Sequence, residues 1–126
     1  MRPRSVLALL ATVLAVLALS TACGDGREPR AADGDPAHGA ELIASQGCGS
    51  CHQVPGVDGA DGRVGPPLDG FAERTYIAGE LTNTFDNLVQ WIMDPQEIEP
   101  GTAMPDLGID EEQARDLAAY LYTLRD

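Results

Sequence analysis

The segment Cys48-Gly49-Ser50-Cys51-His52 holds the most distinctive set of reactive side chains in this sequence. Two thiols two residues apart, with an imidazole directly after the second, form the CxxCH pattern of covalent haem attachment. The thiols can add across the two vinyl groups of a haem, and the short gap lets one tight helical turn present both sulfurs to one porphyrin edge. His52 would then be held under the iron as its proximal axial ligand. Because CxxCH occurs once, the sequence predicts one haem c, attached through Cys48 and Cys51.

The third cysteine, Cys23, follows a segment that predicts export. A short positive stretch precedes an almost unbroken apolar run of 14 residues, 6–19, too short to span a bilayer comfortably but long enough for a secretory signal. Residues 19–23 resemble a bacterial lipobox with a serine in place of the usual leucine, which predicts a signal peptide over 1–22 and a lipid on Cys23. Cleavage after Ala22 without lipidation, or retention of the apolar run as an anchor, stays open.

Composition narrows the partners. The 126 residues suffice for one domain, and they include eight arginines, no lysine and 20 acidic residues, for a net charge of −12. Arg2 and Arg4 fall within the first 22 residues, so the remaining six arginines face all 20 acidic residues, a net charge of −14. This acidic balance argues against nucleic-acid binding, which needs a basic patch. Outside the leader, the apolar core is small for the chain length, and a large buried cofactor would complete it.

The domain is predicted to begin at residue 35. Residues 23–34 contain almost no large apolar side chain, which predicts a flexible tether. A first helix is expected after Asp35 as N-cap, with Pro36 at its first position and Gly47 just past its end. Its apolar stripe is predicted to consist of Ala37, Ala40, Ile43 and Ala44.

Two further helices are predicted downstream. One runs from Thr84 as N-cap to Met93 and ends before Pro95, because a residue preceding proline avoids helical geometry. Its buried face is expected to hold Leu88, Val89, Trp91 and Ile92.

The final helix has the strongest local signals. Asp110 and Gln113 form a capping box, and Ile109 with Ala114 forms a hydrophobic staple. The spacing of apolar residues predicts a buried face formed by Ala114, Leu117, Ala118, Leu121 and Leu124.

The order of these features resembles that of class I cytochromes c over residues 35–126. The shared motifs are an N-terminal helix, CxxCH, Gly65-Pro66-x-Leu68, a helix ending at Pro95, Pro100-Gly101-Thr102-x-Met104, and a C-terminal helix. The resemblance implies an all-α fold of three to five helices, with long loops wrapped around one covalently bound haem. It also implies that the N- and C-terminal helices cross, with Gly39 against Tyr120.

The resemblance assigns Met104 as the distal axial ligand. A thioether is a soft, neutral ligand that favours ferrous iron and raises the reduction potential. Met93 is the rival, although its place at a helix end is more simply that of a packing residue. The metal ligands implied are therefore His52 and Met104.

Other haem contacts are implied by the same resemblance. The Pro66 carbonyl would accept a hydrogen bond from His52 Nδ1, with Pro67 as the alternative acceptor. Leu68 would press on the haem face, and Trp91 would pack against the haem or simply within the core. Arg74 would pair with a haem propionate, unless it is a solvated surface arginine. His38, the other histidine, is expected at the surface.

The function implied is electron transfer between membrane-associated respiratory or photosynthetic partners, not catalysis on a small-molecule substrate. The location implied is the periplasm or the outer face of a bacterial cytoplasmic membrane, with a partner that offers a basic or apolar docking patch. A fixed cytochrome subunit of a larger membrane oxidoreductase is the alternative. A haem-based sensor or a peroxidase-like enzyme would require that Met104 not bind the iron. Because the chain lacks lysine, it cannot dock through the lysine ring that some relatives use.

Overall fold

The described part of the chain, residues 33–126 of a computed structural model, is built mainly from α-helices. The predicted signal peptide, Cys23 and most of the predicted tether lie outside these residues. The regular elements are helices α1 (Pro36–Ser45), α2 (Phe85–Met93), α3 (Pro95–Ile98) and α4 (Glu111–Leu121), 3₁₀ turns at Cys48–Ser50 and Phe71–Glu73, and antiparallel strands β1 (Tyr76–Ile77) and β2 (Leu81–Thr82).

Helix α1 begins where the sequence predicts. The Asp35 carboxylate accepts hydrogen bonds from the Ala37 and His38 N–H groups at 2.9 and 3.4 Å. These bonds satisfy two of the amides that an uncapped helix start would leave without partners.

The buried face of α1 differs from the predicted alanine stripe. Gly39, Leu42 and Ile43 are buried, whereas Ala37 and Ala44 are exposed. The prediction was right for Ile43 but wrong for Ala37 and Ala44. Close packing against α4 requires the residue without a side chain, and this requirement turns Gly39 and Leu42 inward. Alanine is small enough to occupy either face.

The crossing of α1 and α4 forms one side of the core. A Cβ added at Gly39 would collide with the Asp116 carbonyl group and come within 2.9 Å of Tyr120 Cβ. The two helices therefore approach as closely as their backbones allow, and the expected contact of Gly39 with Tyr120 is present. Gly34 is equally close to the Arg115 carbonyl, so Asp33 and Gly34, predicted as tether, already lie along α4.

Helix α2 keeps its predicted bounds and buried face. Thr84 accepts the Asn87 N–H at 3.3 Å, and Asp94 follows the last helical residue. Asp94 also caps α3 by accepting the Glu97 N–H at 3.1 Å. Pro95 thus ends one helix and occupies the first position of the next, where its missing N–H costs nothing. The sequence prediction contained only the ending.

Helix α4 has the predicted capping box, with reciprocal bonds between Asp110 and Gln113 at 2.9 and 3.2 Å. Ile109 and Ala114 are both buried, as a staple requires. The helix ends at Leu121, so Leu124 packs against the core from the segment after it. Within residues 33–126, no helix is both long and apolar enough to cross a membrane.

Candidate haem-binding site

The CxxCH motif lies on the 3₁₀ turn that follows α1. Gly47 takes a left-handed conformation, with φ of 79°, and turns the chain out of the helix. The Cys48 carbonyl then accepts both the Cys51 N–H at 3.2 Å and the His52 N–H at 3.0 Å. One tight turn therefore holds both cysteines and the histidine together, as the two-residue spacing predicts.

Both motif cysteines are free thiols. Cys48 is half-buried and packs against the hydrophobic core, and this burial raises the pKa of its thiol. Two reduced thiols in one turn are the form needed for thioether bonds to the two vinyl groups of a haem.

The ring of His52 is fixed by the loop that follows the motif. His52 Nδ1 lies 2.7 Å from the carbonyl oxygen of Pro66, so the acceptor is Pro66 rather than Pro67. The Gly65 N–H bonds the Cys51 carbonyl at 2.8 Å, and a Cβ at Gly65 would collide with the imidazole. Because Nδ1–H is donated to Pro66, the lone pair on Nε2 remains for a metal ion.

The loop of residues 53–62, which follows the motif, is hydrogen-bonded both to the 3₁₀ turn and to α4. Val54 is buried, and its N–H bonds the Ala60 carbonyl at 3.0 Å, closing the loop on itself. The Gly62 N–H reaches the Gly49 carbonyl at 3.0 Å, which ties the loop to the 3₁₀ turn. The Tyr120 hydroxyl donates to the carbonyl of Pro55 at 2.6 Å and ties it to α4.

The two candidate methionines contact the same core from different backbone settings. Met93 and Met104 are both half-buried against the core, as is Leu68. Met93 is the last residue of α2, whereas Met104 lies in the loop between α3 and α4. Trp91 is 8% exposed within α2, so it belongs to the core whether or not it also touches a cofactor.

Arg74 is held against the loop that carries Pro66. Its Nη2 donates to the carbonyls of Pro67 and Asp69, the latter at 2.9 Å, and its guanidinium lies 5.4 Å from the centre of the Phe71 ring. These contacts were not predicted from the sequence. Both bonds use Nη2, so Nε and Nη1 keep donors that could reach a propionate.

The donor set fits a covalently attached haem. Two thiols on one turn match the vinyl chemistry, and an imidazole with a fixed tautomer matches an axial ligand. Cys48, Leu68 and Met104 are each half-buried and pack against the same hydrophobic core. Among the described residues no cluster of three or more His, Cys, Asp or Glu side chains could bind a metal ion by itself, so the fit depends on the porphyrin supplying the other ligands.

Two polar features escaped the sequence reasoning. His38 is half-exposed but bonds Asp116, and Asn83 bonds three other groups. Their partners are distant in sequence, and no local pattern encodes them. An asparagine between two short hydrophobic segments is the only hint that the sequence offers for Asn83.

Comparison with known proteins agrees with this architecture. A family model described as cytochrome c matches residues 36–125. The chain is 39% identical over 88 residues to cytochrome c oxidase subunit 2 of Alkalihalophilus pseudofirmus, a match that covers 69% of this chain and 25% of that protein. It is 34% identical over 101 residues to cytochrome c of Theileria annulata, covering 71% of this chain and 85% of that one. Among solved structures, SoxXA from P. pantotrophus matches with a TM-score of 0.60 and 21% identity, covering 79% of this chain and 88% of that chain.

Fold and motif together define a class I c-type cytochrome, and the chain belongs to the cytochrome c family. Members of this family bind one haem c covalently, here through Cys48 and Cys51, and transfer electrons. The chain spans about a quarter of the oxidase subunits that it matches.

Proposed function

We propose that this protein transfers electrons between redox proteins at the outer face of a bacterial cytoplasmic membrane, with His52 and Met104 as axial ligands. The bond from His52 Nδ1 to the Pro66 carbonyl, 2.7 Å long, carries this proposal. It fixes the tautomer and orientation of the imidazole and strengthens it as a ligand. When bound, the haem supplies an iron that cycles between ferric and ferrous states.

Met104 is the better candidate for the second ligand. It lies in a loop where its N–H bonds Thr102 Oγ1 at 3.4 Å, beside a turn closed by the bond from Thr102 N–H to the Glu99 carbonyl at 3.1 Å. A methionine in a loop has no helical face to complete, so the need to fill the core does not by itself explain why Met104 packs inward. Met93 completes the apolar face of a helix, and that is sufficient reason for its burial.

The charge of the chain favours a basic partner. Arg74 is bound to backbone carbonyls, and Arg115 contacts Phe85, Asp33 and Glu111 within the domain. With these two arginines and the other four counted, the chain beyond residue 22 keeps a net charge of −14, which steers association towards positive potential. A lipid on Cys23 would confine this encounter to the membrane and raise the effective concentration of the partner.

A visible spectrum of haem-loaded protein, matured in a periplasm with haem-attachment machinery, tests the ligands. Low-spin c-type bands with the weak red band of a sulfur–ferric-iron bond support His52 and Met104. Met104→Ala should abolish the red band and lower the potential, whereas the matched variant Met93→Ala should keep the band. Loss of the band in Met93→Ala alone would exchange the two assignments. A high-spin wild-type spectrum that responds to carbon monoxide would replace the carrier proposal with a sensor or enzyme.

The similarity to oxidase subunits favours a second candidate, a fixed haem subunit of a larger complex. Purification from membranes in mild detergent separates the two functions. A carrier should elute alone and show second-order kinetics with an added partner. Stable co-elution with oxidoreductase subunits, and turnover independent of added protein, would favour the fixed subunit.

A further inference from the structure

A hydrogen-bond network lies behind the loop that fixes His52, and Asn83 is its centre. Asn83 Nδ2 donates to the carbonyls of Phe71 and Arg74 at 3.0 and 2.9 Å. Asn83 Oδ1 accepts the Tyr122 hydroxyl at 2.8 Å. Its backbone N–H bonds the Thr75 carbonyl at 2.9 Å. Both amide donors and the amide acceptor are thus used, and the partners all lie far from Asn83 in sequence or on a different element.

These bonds fix the backbone at Arg74. The Phe71 and Arg74 carbonyls bracket the 3₁₀ turn Phe71–Glu73, so one side chain pins both ends of that turn. Tyr122 holds the amide group in place, and its ring packs 6.2 Å from Phe71 and 5.8 Å from Phe85. The backbone position from which the Arg74 side chain extends is therefore fixed by a network in which every amide group of Asn83 is bonded. Such a network holds the backbone more firmly than the same bonds would separately.

Arg74 in turn holds the segment that carries the acceptor of His52. Pro66 and Pro67 have no N–H, so this part of the loop can be anchored at those residues only through carbonyls. The Pro66 carbonyl is bonded to His52, and the Pro67 and Asp69 carbonyls are bonded to Arg74. The guanidinium thus holds the peptide next to the one that orients the imidazole.

We propose that Asn83 is a positioning residue for His52, acting through Arg74 and the carbonyls of residues 66–69. This inference rests on the proposed function, in which His52 binds the iron. Its role is to keep the bond from His52 Nδ1 to Pro66 short. A shorter hydrogen bond at Nδ1 makes the imidazole a stronger electron-pair donor to the iron through Nε2. A stronger axial donor stabilises ferric iron relative to ferrous iron.

The test uses the haem-loaded protein and the variant Asn83→Ala. Loosening of the loop should raise the reduction potential and accelerate solvent exchange of the His52 Nδ1 proton, followed by NMR, by about tenfold or more. Asn87→Ala is the matched control, because the side-chain amide of Asn87 makes one similar bond, from Nδ2 to the Thr82 carbonyl at 2.9 Å, and that bond does not involve Phe71, Arg74 or Tyr122. Equal potentials and exchange rates in the two variants would overturn the proposal.

Tyr122→Phe keeps the ring packing and removes only the hydroxyl, so it serves if Asn83→Ala does not fold. It should shift both quantities in the same direction by a smaller amount, and no shift would count against the proposal. In an Arg74→Gln background, Asn83→Ala should no longer change the potential; additive shifts would show that Asn83 does not act through Arg74. A wild-type spectrum without a histidine ligand would refute the proposed function itself. A histidine–methionine spectrum with unresponsive variants would refute only the role of Asn83.

Discussion

His38 Nδ1 lies 2.7 Å from Asp116 Oδ2, and this pair joins the first helix of the domain to the last. The other Asp116 oxygen accepts the Asp35 N–H at 2.6 Å, so one nearly buried carboxylate holds both the start of α1 and its first turn. The pair lies beside the close contact at Gly39. The pair therefore adds polar contacts between α1 and α4 next to the close backbone contact at Gly39.

Stability should depend on pH through this pair. The bond to Asp116 raises the pKa of His38 above its ordinary value of 6.5. Burial raises the pKa of Asp116, but the bonds from the Asp35 N–H and from His38 outweigh it, so the net pKa lies below the ordinary 3.8. The other charged groups nearby are Asp33, Asp35, Glu41, Glu112 and Arg115.

The sign of the effect follows from these two directions. Stabilisation from charged His38 is complete below its ordinary pKa and is lost as pH rises through the raised value. Stabilisation from ionised Asp116 is complete above its ordinary pKa and is lost as pH falls through the lowered value. Urea unfolding of wild type and His38→Gln should therefore differ most between about pH 4 and about pH 6.5, and the difference should shrink as pH rises through the raised pKa of His38. A constant difference across this range would show that the pair does not contribute through charge.

Removal of the carboxylate should destabilise the domain more than loss of a surface charge. Asp116→Ala leaves the Asp35 N–H and His38 without their acceptor, and we expect a loss of about 1–3 kcal/mol in unfolding free energy. Glu80→Ala, at an exposed position between β1 and β2, is the control and should change it by less than about 0.5 kcal/mol. Chemical denaturation measures both. Similar values would mean that solvent replaces the lost bonds.

The helix crossing can be tested at Gly39. By propensity, Gly39→Ala should gain about 1 kcal/mol in a helix interior. The collision with the Asp116 carbonyl should reverse this gain, and we expect a net loss of about 1–3 kcal/mol, measured by denaturant unfolding. Ala44→Gly, at an exposed position of α1, should lose only about 0.5–1 kcal/mol. A stabilised Gly39→Ala would contradict the close approach of the helices.

Gly65 provides a test of how His52 is positioned. Gly65→Ala places a methyl group against the imidazole, so the ring or the loop must shift, and this shift should disturb the bond from His52 Nδ1 to the Pro66 carbonyl. In the haem-loaded protein we expect an altered ferric spectrum, because the bond from His52 to the iron is weakened. Gly59→Ala is the control, because no atom lies within 4 Å of its added Cβ and its φ of 76° imposes only local backbone strain. An unchanged spectrum in both variants would show that the ring tolerates the displacement.

Electron exchange with a cationic redox protein should slow as salt is added. The net charge of −14 beyond residue 22 attracts a positive partner over about 30 Å at 0.01 M salt, but over only about 8 Å at physiological ionic strength. Stopped-flow rates should therefore fall steeply, while reduction by a small neutral reductant stays constant. A rate with the cationic protein that does not depend on salt would argue for an apolar docking surface.

The local signals in the sequence predicted the helices well because each helix end has its own side-chain chemistry. Asp35, Thr84 and Asp110 all cap as predicted, since a short polar side chain before an apolar run satisfies the first free amides. The spacing of CxxCH likewise encodes its own turn. The site could be located from these features alone.

Features that depend on chain crossings could not be predicted in this way. The face that α1 buries depends on the close approach of α4 to Gly39. The spacing of apolar residues within 36–45 carries no information about that approach. Asp116 is one of three acidic residues on α4, and nothing in the local sequence separates it from the other two, yet it is buried and bonds partners 81 and 78 positions away. Arg74 was expected either to pair with a haem propionate or to be solvated at the surface. Its bonds to the loop carbonyls depend on where that loop folds back, which the sequence does not reveal.

Joining residues 35 and 116 also has a consequence for the order in which the chain matures. A contact that spans 81 positions cannot form until α4 has been synthesised. Cys48 and Cys51 emerge long before that moment, on a segment whose supporting helix crossing does not yet exist. The thiols are therefore accessible during the interval in which attachment chemistry must reach them, and the domain closes only when its last eleven-residue helix arrives.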